Sequence, residues 1–204
     1  FSLEMQCREL AQRLIAMRTG VSVSAMRTGQ LQEGGWSRIS ACRADADGQR
    51  LILMDRPAVG ISYARAVARK IRRQHGLDVI CVDYLGLMRG EGQNRNQEIG
   101  SLSRGLKALA KELNVPIIAL AQLNRSTETR QDRRPQLSDL RDSGEIEQDA
   151  DIVVMLHRED LSNPAPEWRG LAELIIRKNR NGPLGEVILA MDGPTMKFTQ
   201  YTGP

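Results

Sequence analysis

The run Val79-Ile80-Cys81-Val82-Asp83-Tyr84-Leu85 takes a mostly β-branched apolar stretch straight into a carboxylate. Such a run reads as a buried strand with an acid at its exit. An acid at the carboxyl end of a strand is how many nucleotide hydrolases hold Mg²⁺ beside the phosphates of ATP. Two more polar residues follow short apolar runs. Glu4 comes after Phe1-Ser2-Leu3, and Gln122 after Val115 through Ala121. In an open α/β sheet, ligands sit outside the carboxyl ends of parallel strands. Acid, acid and amide gathered there suit phosphoryl transfer: Asp83 for Mg²⁺, Glu4 to polarise an attacking water, Gln122 to sense a γ-phosphate. A helix cap or turn residue at Asp83 would look the same, so the expectation rests on the three together. The usual companion, G-x-x-x-x-G-K-[ST], is absent from all 204 residues.

Two further groups of residues could contact phosphates. Arg177-Lys178-Asn179-Arg180-Asn181-Gly182-Pro183 puts cations at a strand end, where Asn-Gly signals a hairpin. Arginine pairs bidentately with phosphate and lysine adds a point charge, so Arg180 could reach a neighbouring subunit's nucleotide. A solvated hairpin tip is the plain alternative. The stretch Asp139 through Asp151 holds Arg141, Asp142, Ser143 and Gly144. Ser143 or Asp142 could cap a short helix whose first N–H groups face a phosphate. Its acids at 145–151 argue against a simple basic groove, and a capped turn is the competing reading. The loops 89–96 and 124–134 carry Arg89, Arg95, Arg125, Arg130, Arg133 and Arg134, and they read as mobile segments suited to transient DNA-backbone contacts or, equally, as plain solvated loops.

The elements that must position these groups alternate helix and strand, which predicts an α/β fold with a largely parallel sheet. Helices are expected over 5–19, through Trp36 and Ile39, from a Ser62 cap to His75 with Gly76 closing, and along Ile99, Leu102, Leu106, Leu109 and Leu113. Strands are expected at 1–3, 51–54, 79–83, 115–121, 151–157, 171–177 and 185–191, the last two as a C-terminal β-hairpin. No repeat or linker divides the chain, so one domain over 1–204 is expected. Aromatics are only 3%, which disfavours base stacking on aromatic platforms. The 29 basic and 25 acidic residues leave a net charge of +4, too mild to argue for nucleic acid alone. Cys7, Cys42 and Cys81 form no CxxC pair, which disfavours zinc and fits free thiols in a reducing cytoplasm. No apolar stretch is long enough to span a membrane, and no secretory leader precedes the first strand. A first residue of Phe rather than Met gives the expectation of a chain that begins inside a longer protein.

Together these segments resemble the C-terminal motor domain of the bacterial hexameric replicative DNA helicases, the DnaB family. The residues that carry it are Phe1 through Met5, Arg27 through Leu31, Val82 through Leu85, Ser103 through Leu113, Gln122 through Arg125, Asp139 through Asp151 and Lys178 through Pro183. The resemblance implies a RecA-like (P-loop NTPase) fold and a homo-hexamer with ATP and Mg²⁺ at subunit interfaces. It implies a helicase that moves on single-stranded DNA and unwinds the duplex at the fork, with a primase and a helicase loader as partners. Position by position, Glu4 is similar to the catalytic glutamate and Asp83 to the Walker B aspartate. Gln122 matches the γ-phosphate sensor, Lys178 and Arg180 the pair acting in trans, and Arg141, Asp142 and Gly144 the loop on single-stranded DNA. The chain departs from the pattern in lacking the Walker A loop and the collar domain, and in the less family-like segment 43–65. Without that loop, 1–204 alone is expected to hydrolyse no ATP. The alternatives are another RecA-like ATPase, such as a recombinase, and a non-catalytic truncated ring or interaction module.

Overall fold

A computed structural model describes residues 1–46, 51–124, 130, 132–161, 163 and 165–203. The chain divides into two compact units. The first comprises Phe1–Glu4, Met54–Met155 and Ile175–Gly185; the second comprises Met5–Leu53, Leu156–Leu174 and Glu186–Pro204.

The first unit is built on a short parallel sheet. Strand β1 (Ile80–Val82) pairs with β2 (Ile117–Ala119), and Ile80, Cys81 and Val82 lie opposite Ile117, Ile118 and Ala119. Phe1–Leu3 runs along the other side of β1. The Asp83 N–H donates to the Phe1 carbonyl at 2.8 Å, and the Leu3 N–H to the Asp83 carbonyl at 2.6 Å. The segment expected as a strand at 51–54 has no strand ladder. It meets this edge where the Met54 carbonyl accepts from the Ser2 N–H at 2.8 Å. One bond cannot hold the extended backbone of four residues, three of which lie outside this unit.

Helices α4 (Ile61–His75) and α5 (Arg95–Leu113) supply the core against this sheet. Leu102, Leu106, Leu109 and Leu113 recur at three- and four-residue spacing along α5. They are buried with Ala64 and Ala68 of α4 and with Ile80, Val82 and Leu85. A fully buried leucine contributes about 1.5–3 kcal/mol of transfer free energy, so this stripe fixes α5 under the sheet. Asn94 caps α5 by accepting the Gln97 N–H at 3.0 Å, and Asn114 closes it in the left-handed conformation. The α4 cap is Gly60 rather than the expected Ser62, because the helix begins two residues earlier than a Ser62 cap would place it, at Ile61. Gly76 closes that helix as expected.

The loop at 89–96, expected to be mobile, is tied down. The Glu91 N–H donates to Ser101 Oγ and the Gln93 N–H to Gln97 Oε1, each at 2.9 Å. At Gly92 a Cβ would sit 2.6 Å from the Gln97 Cβ, so only glycine lets 89–94 fold back on α5. After the other expected loop, of which 125–129 and 131 lie outside the described residues, a 3₁₀ helix at Leu137–Ser143, kinked at Leu140, leads into α6 (Gly144–Asp149). A Gln136/Asp139 box caps the 3₁₀ helix. Arg125 lies outside the described residues.

Strands β3 (Ile152–His157), β4 (Leu171–Asn179), β5 (Gly185–Asp192) and β6 (Lys197–Gln200) form a second sheet in that order. The β4–β5 connection spans 180–184 rather than a two-residue Asn-Gly turn. The Asn179 amide crosses the loop to the Pro183 carbonyl at 3.1 Å, and a Cβ on Gly182 would lie 2.5 Å from it. Around Leu140, Val153, Met155 and Ile175 a smaller core forms. In the second unit, α1 (Cys7–Thr19), α2 (Val23–Thr28) and α3 (Gly35–Ala46) accompany the antiparallel β5–β6 ladder. Helix α2 and strand β6 were not foreseen. Six helical and four strand residues carry too little periodicity to stand out. Residues 47–50, which include Asp47-Gly48, lie outside the described set.

Candidate functional site

The sheet register decides which side chains share a face. Ser2 lies directly opposite Asp83 on its parallel neighbour, so their side chains leave the same face. Glu4 comes two residues past Ser2, in the bend where this segment leaves the sheet. On the other side, Cys81 lies opposite Ile118. The ladder continues with the Leu120 N–H donating to the Val82 carbonyl at 2.9 Å and the Leu85 N–H to the Leu120 carbonyl at 2.8 Å. Stepping by two from Ile118 reaches Leu120 and then Gln122. Asp83 therefore leaves the end of β1 on the face opposite the α4–α5 core, and Glu4 and Gln122 follow the ends of the two neighbouring segments at the same carboxyl edge.

Glu4 and Gln122 are exposed and Asp83 is half-buried. No ion pair neutralises Glu4 or Asp83 among the described residues, so both carboxylates are available to a cation. Nor does any group of three or more His, Cys, Asp or Glu residues gather there, among the described residues, into a protein metal cage. That donor set fits Mg²⁺, which keeps several waters and takes one or two carboxylates plus substrate phosphates. A zinc cage would need more protein ligands.

Beside Gln122 opens a cleft of about 220 Å³, walled by Tyr84, Gly86, Arg95, Asn124, Asp139 and Leu140 among others. Its floor joins two candidate regions directly, because the Asn124 N–H donates to the Asp139 carbonyl at 3.1 Å. Asp139 is buried, accepting Arg130 Nη2 at 2.6 Å and the Gln136 N–H at 2.7 Å. This pins the start of the 3₁₀ helix that carries Arg141 and Asp142. The backbone of those two residues lies in that helix, and their side chains are outside what the structure describes; Gly144 begins α6. The short helix expected after Ser143 is α6, which begins at Gly144 and is preceded by a 3₁₀ stretch kinked at Leu140. Arg95, expected in a loop, opens α5 and is bonded to the Gly86 carbonyl and, at 2.8 Å, to Glu98.

Lys178 and Arg180 are braced rather than free at a hairpin tip. The Arg180 N–H donates to the Asp151 carbonyl at 2.9 Å. Its guanidinium reaches Asp151 Oδ1 at 3.1 Å and the Gln148 carbonyl at 3.4 Å. Lys178 Nζ donates to the carbonyls of Glu147 and, at 3.2 Å, Gln148. These are orphan carbonyls at the end of α6, where a cation also meets the negative end of the helix dipole. From α5, Lys107 donates to the other Asp151 oxygen, and Arg104 pairs with Glu145. Chiefly through the Lys107 hydrogen bond, and further through the charges of Lys107, Arg180 and Lys178, the Asp151 carboxyl is held below its ordinary value of 3.8 against the opposing effect of burial. Asp151 and Arg180 are about half exposed, so such a pair is worth at most about 1 kcal/mol of stability. Its consequence is positional. Lys107 was missed because nothing in a helix sequence says which lysine faces a hairpin far along the chain.

A short parallel sheet with helices packed against it defines an α/β architecture, and comparison with solved structures makes it RecA-like. One solved ATPase domain aligns with a TM-score of 0.93 and 34% identity over 98% of this chain and 72% of that one. A DnaB-like replicative helicase, solved in a study of its interactions with primase, aligns with the same TM-score and identity over 98% of this chain and 49% of that one.

Residues 1–200 match the DnaB-like helicase C terminal domain model, and the chain belongs to that family. It is 43% identical to the replicative DNA helicase DnaB of Geobacillus stearothermophilus over 97% of its own length and 44% of the relative's. It is 45% identical to the DnaB of Buchnera aphidicola subsp. Schizaphis graminum over 100% of its length and 45% of that protein. The chain thus spans a little under half of these relatives. The alternative of a recombinase is not favoured by these matches. Among the described residues no helix is long and apolar enough to cross a membrane.

Proposed function

We propose that the chain is the motor segment of a bacterial replicative DNA helicase, which hydrolyses ATP at the interfaces of a six-membered ring and moves along single-stranded DNA in the cytoplasm. The observation that carries this reading is Asp83 at the carboxyl end of the parallel pair β1–β2, with Glu4 and Gln122 just past the ends of the neighbouring segments, inside a family of replicative helicases. Asp83, with Glu4 beside it, would hold Mg²⁺, which when bound sets positive charge against the nucleotide phosphates. Glu4 orients and deprotonates the attacking water. Gln122 contacts the γ-phosphate, and its segment reaches the DNA side through the Asn124–Asp139 bond. Lys178 and Arg180 enter the neighbouring subunit's site and offset charge on the equatorial oxygens of the transferring group. Arg141, Asp142 and Gly144 hold the single-strand backbone. A primase fits as a partner, since one structural neighbour was solved in that context, and a helicase loader completes the set. The stretch 1–204 contains no phosphate-binding loop and does not turn over ATP by itself.

The test is Arg180→Ala in the protein at the length of its relatives, with the segment 1–204 assayed in parallel. Loss of DNA-stimulated hydrolysis by about a hundred-fold or more, with ATP binding retained, is expected for removal of a phosphate-stabilising donor. Unwinding at the wild-type rate would refute the trans role, and steady turnover by 1–204 alone would refute its dependence on a phosphate loop.

A further inference from the structure

We infer that Asp151 is a positioning residue for Arg180, set in place by Lys107, so that the trans-acting guanidinium is presented from helix α5 and the end of α6 instead of from a loose hairpin. The inference rests on the proposed trans role of Arg180 and adds the device that aims it.

Three contacts fix the arginine to one short stretch. Its backbone N–H and its Nη1 both go to Asp151, and its Nη2 faces the Gln148 carbonyl. Asp151 is itself held from the far side, because its second carboxylate oxygen accepts Lys107 Nζ. A guanidinium has five N–H donors in a planar fork. Bracing one edge leaves the remaining donors pointing outward in a set plane, which is what bidentate phosphate recognition requires. Charge arithmetic supports the same reading. A lone carboxylate beside the arginine would cancel its attraction for phosphate, but with Lys107 and Lys178 alongside, three cations surround one anion. Lys107 ties the assembly to a helix whose buried leucines are the core of the unit, so the finger inherits the rigidity of that core.

A misplacement of about 1 Å in a catalytic group costs on the order of a hundred-fold in rate. Asp151→Ala is therefore expected to lower the DNA-stimulated kcat of the full-length protein by about 10–100-fold, with KM for ATP changed less than about two-fold. The decisive readout is subunit mixing. An Asp151→Ala subunit keeps its own nucleotide site and lacks only an aimed finger, whereas an Asp83→Asn subunit lacks the site and keeps the finger. Rings mixed from the two should regain turnover above either alone, because the good finger now serves the good site. Lys107→Met, which leaves Asp151 in place without its counter-cation, should fall in the same direction by a smaller factor and be complemented in the same way. Wild-type kcat in both variants would overturn the inference. So would a loss of kcat that mixing does not restore, since that marks a general structural defect. Failure of the underlying reading is seen separately: there Arg180→Ala itself keeps its turnover.

Discussion

Gly105 lies mid-helix in α5, where a glycine costs about 1 kcal/mol relative to alanine. Gly105→Ala would therefore stabilise the helix if nothing faced it. A Cβ at that position, however, would lie 2.7 Å from Ile61 Cγ1, 3.0 Å from Cδ1 and 3.1 Å from Cγ2. Carbon atoms in good contact sit about 3.5–4.0 Å apart. Both γ carbons crowd the site, and rotating a β-branched side chain cannot withdraw both at once. Helices α4 and α5 must then part by roughly half an ångström to one ångström, against a core packed to crystal density. Overpacking of this kind costs about 1–3 kcal/mol. Less the propensity gain, the net loss is about 1 kcal/mol, or a Tm lowered by roughly 2–4 °C for a chain of this size. Urea titration and calorimetry of the wild type and Gly105→Ala measure it. Gly100→Ala is the matched control. There the added Cβ meets only the carboxylate end of Glu145, a half-exposed side chain that can swing away at the expense of its Arg104 pair, so a change near zero is expected. In an Ile61→Ala background, Gly105→Ala should turn stabilising, which isolates the steric contact. A Gly105→Ala protein as stable as the wild type would sink the argument that close α4–α5 packing is why a glycine stands there.

Asn94→Ala removes the side chain that accepts the Gln97 N–H at the start of α5. It should cost about 1 kcal/mol, read as a lower urea midpoint at unchanged slope, and an unaltered midpoint would mean that the cap is dispensable. Acid stability follows from two carboxyls held below their ordinary value of 3.8: Asp151, chiefly by the Lys107 hydrogen bond, and Asp160, chiefly by its hydrogen bond from Arg158. For a lowered carboxyl pKa the stabilisation is fully present above the ordinary value and is lost as the pH falls through the lowered one. Tm should thus hold down to about pH 4 and then fall, with a shallower fall in Asp160→Asn; an acid limb identical in that variant would remove Asp160 from the account.

The sequence by itself determined the α/β alternation, the leucine stripe of α5, the strand at Val79 through Asp83, the family, and Glu4, Asp83 and Gln122 as a set. These are legible because they are local: periodicity, a polar residue at the end of an apolar run, and motif spacing all sit within about a dozen neighbouring positions. Tertiary structure alone decided that Asp83 lies opposite Ser2 and faces away from the α4–α5 core, since this depends on strand register and a one-residue slip would send Asp83 into the core. It also decided that Arg95 belongs to a helix start, that the loop at 89–94 is tied to α5, and that Leu137–Ser143 caps at Gln136. The same holds for the brace on Arg180. Lys107 and Arg180 stand 44 and 29 residues from Asp151 in the chain. Each of the three is an ordinary surface charge when read along the sequence, and only the packing of α5, α6 and the β4–β5 connection turns them into one device.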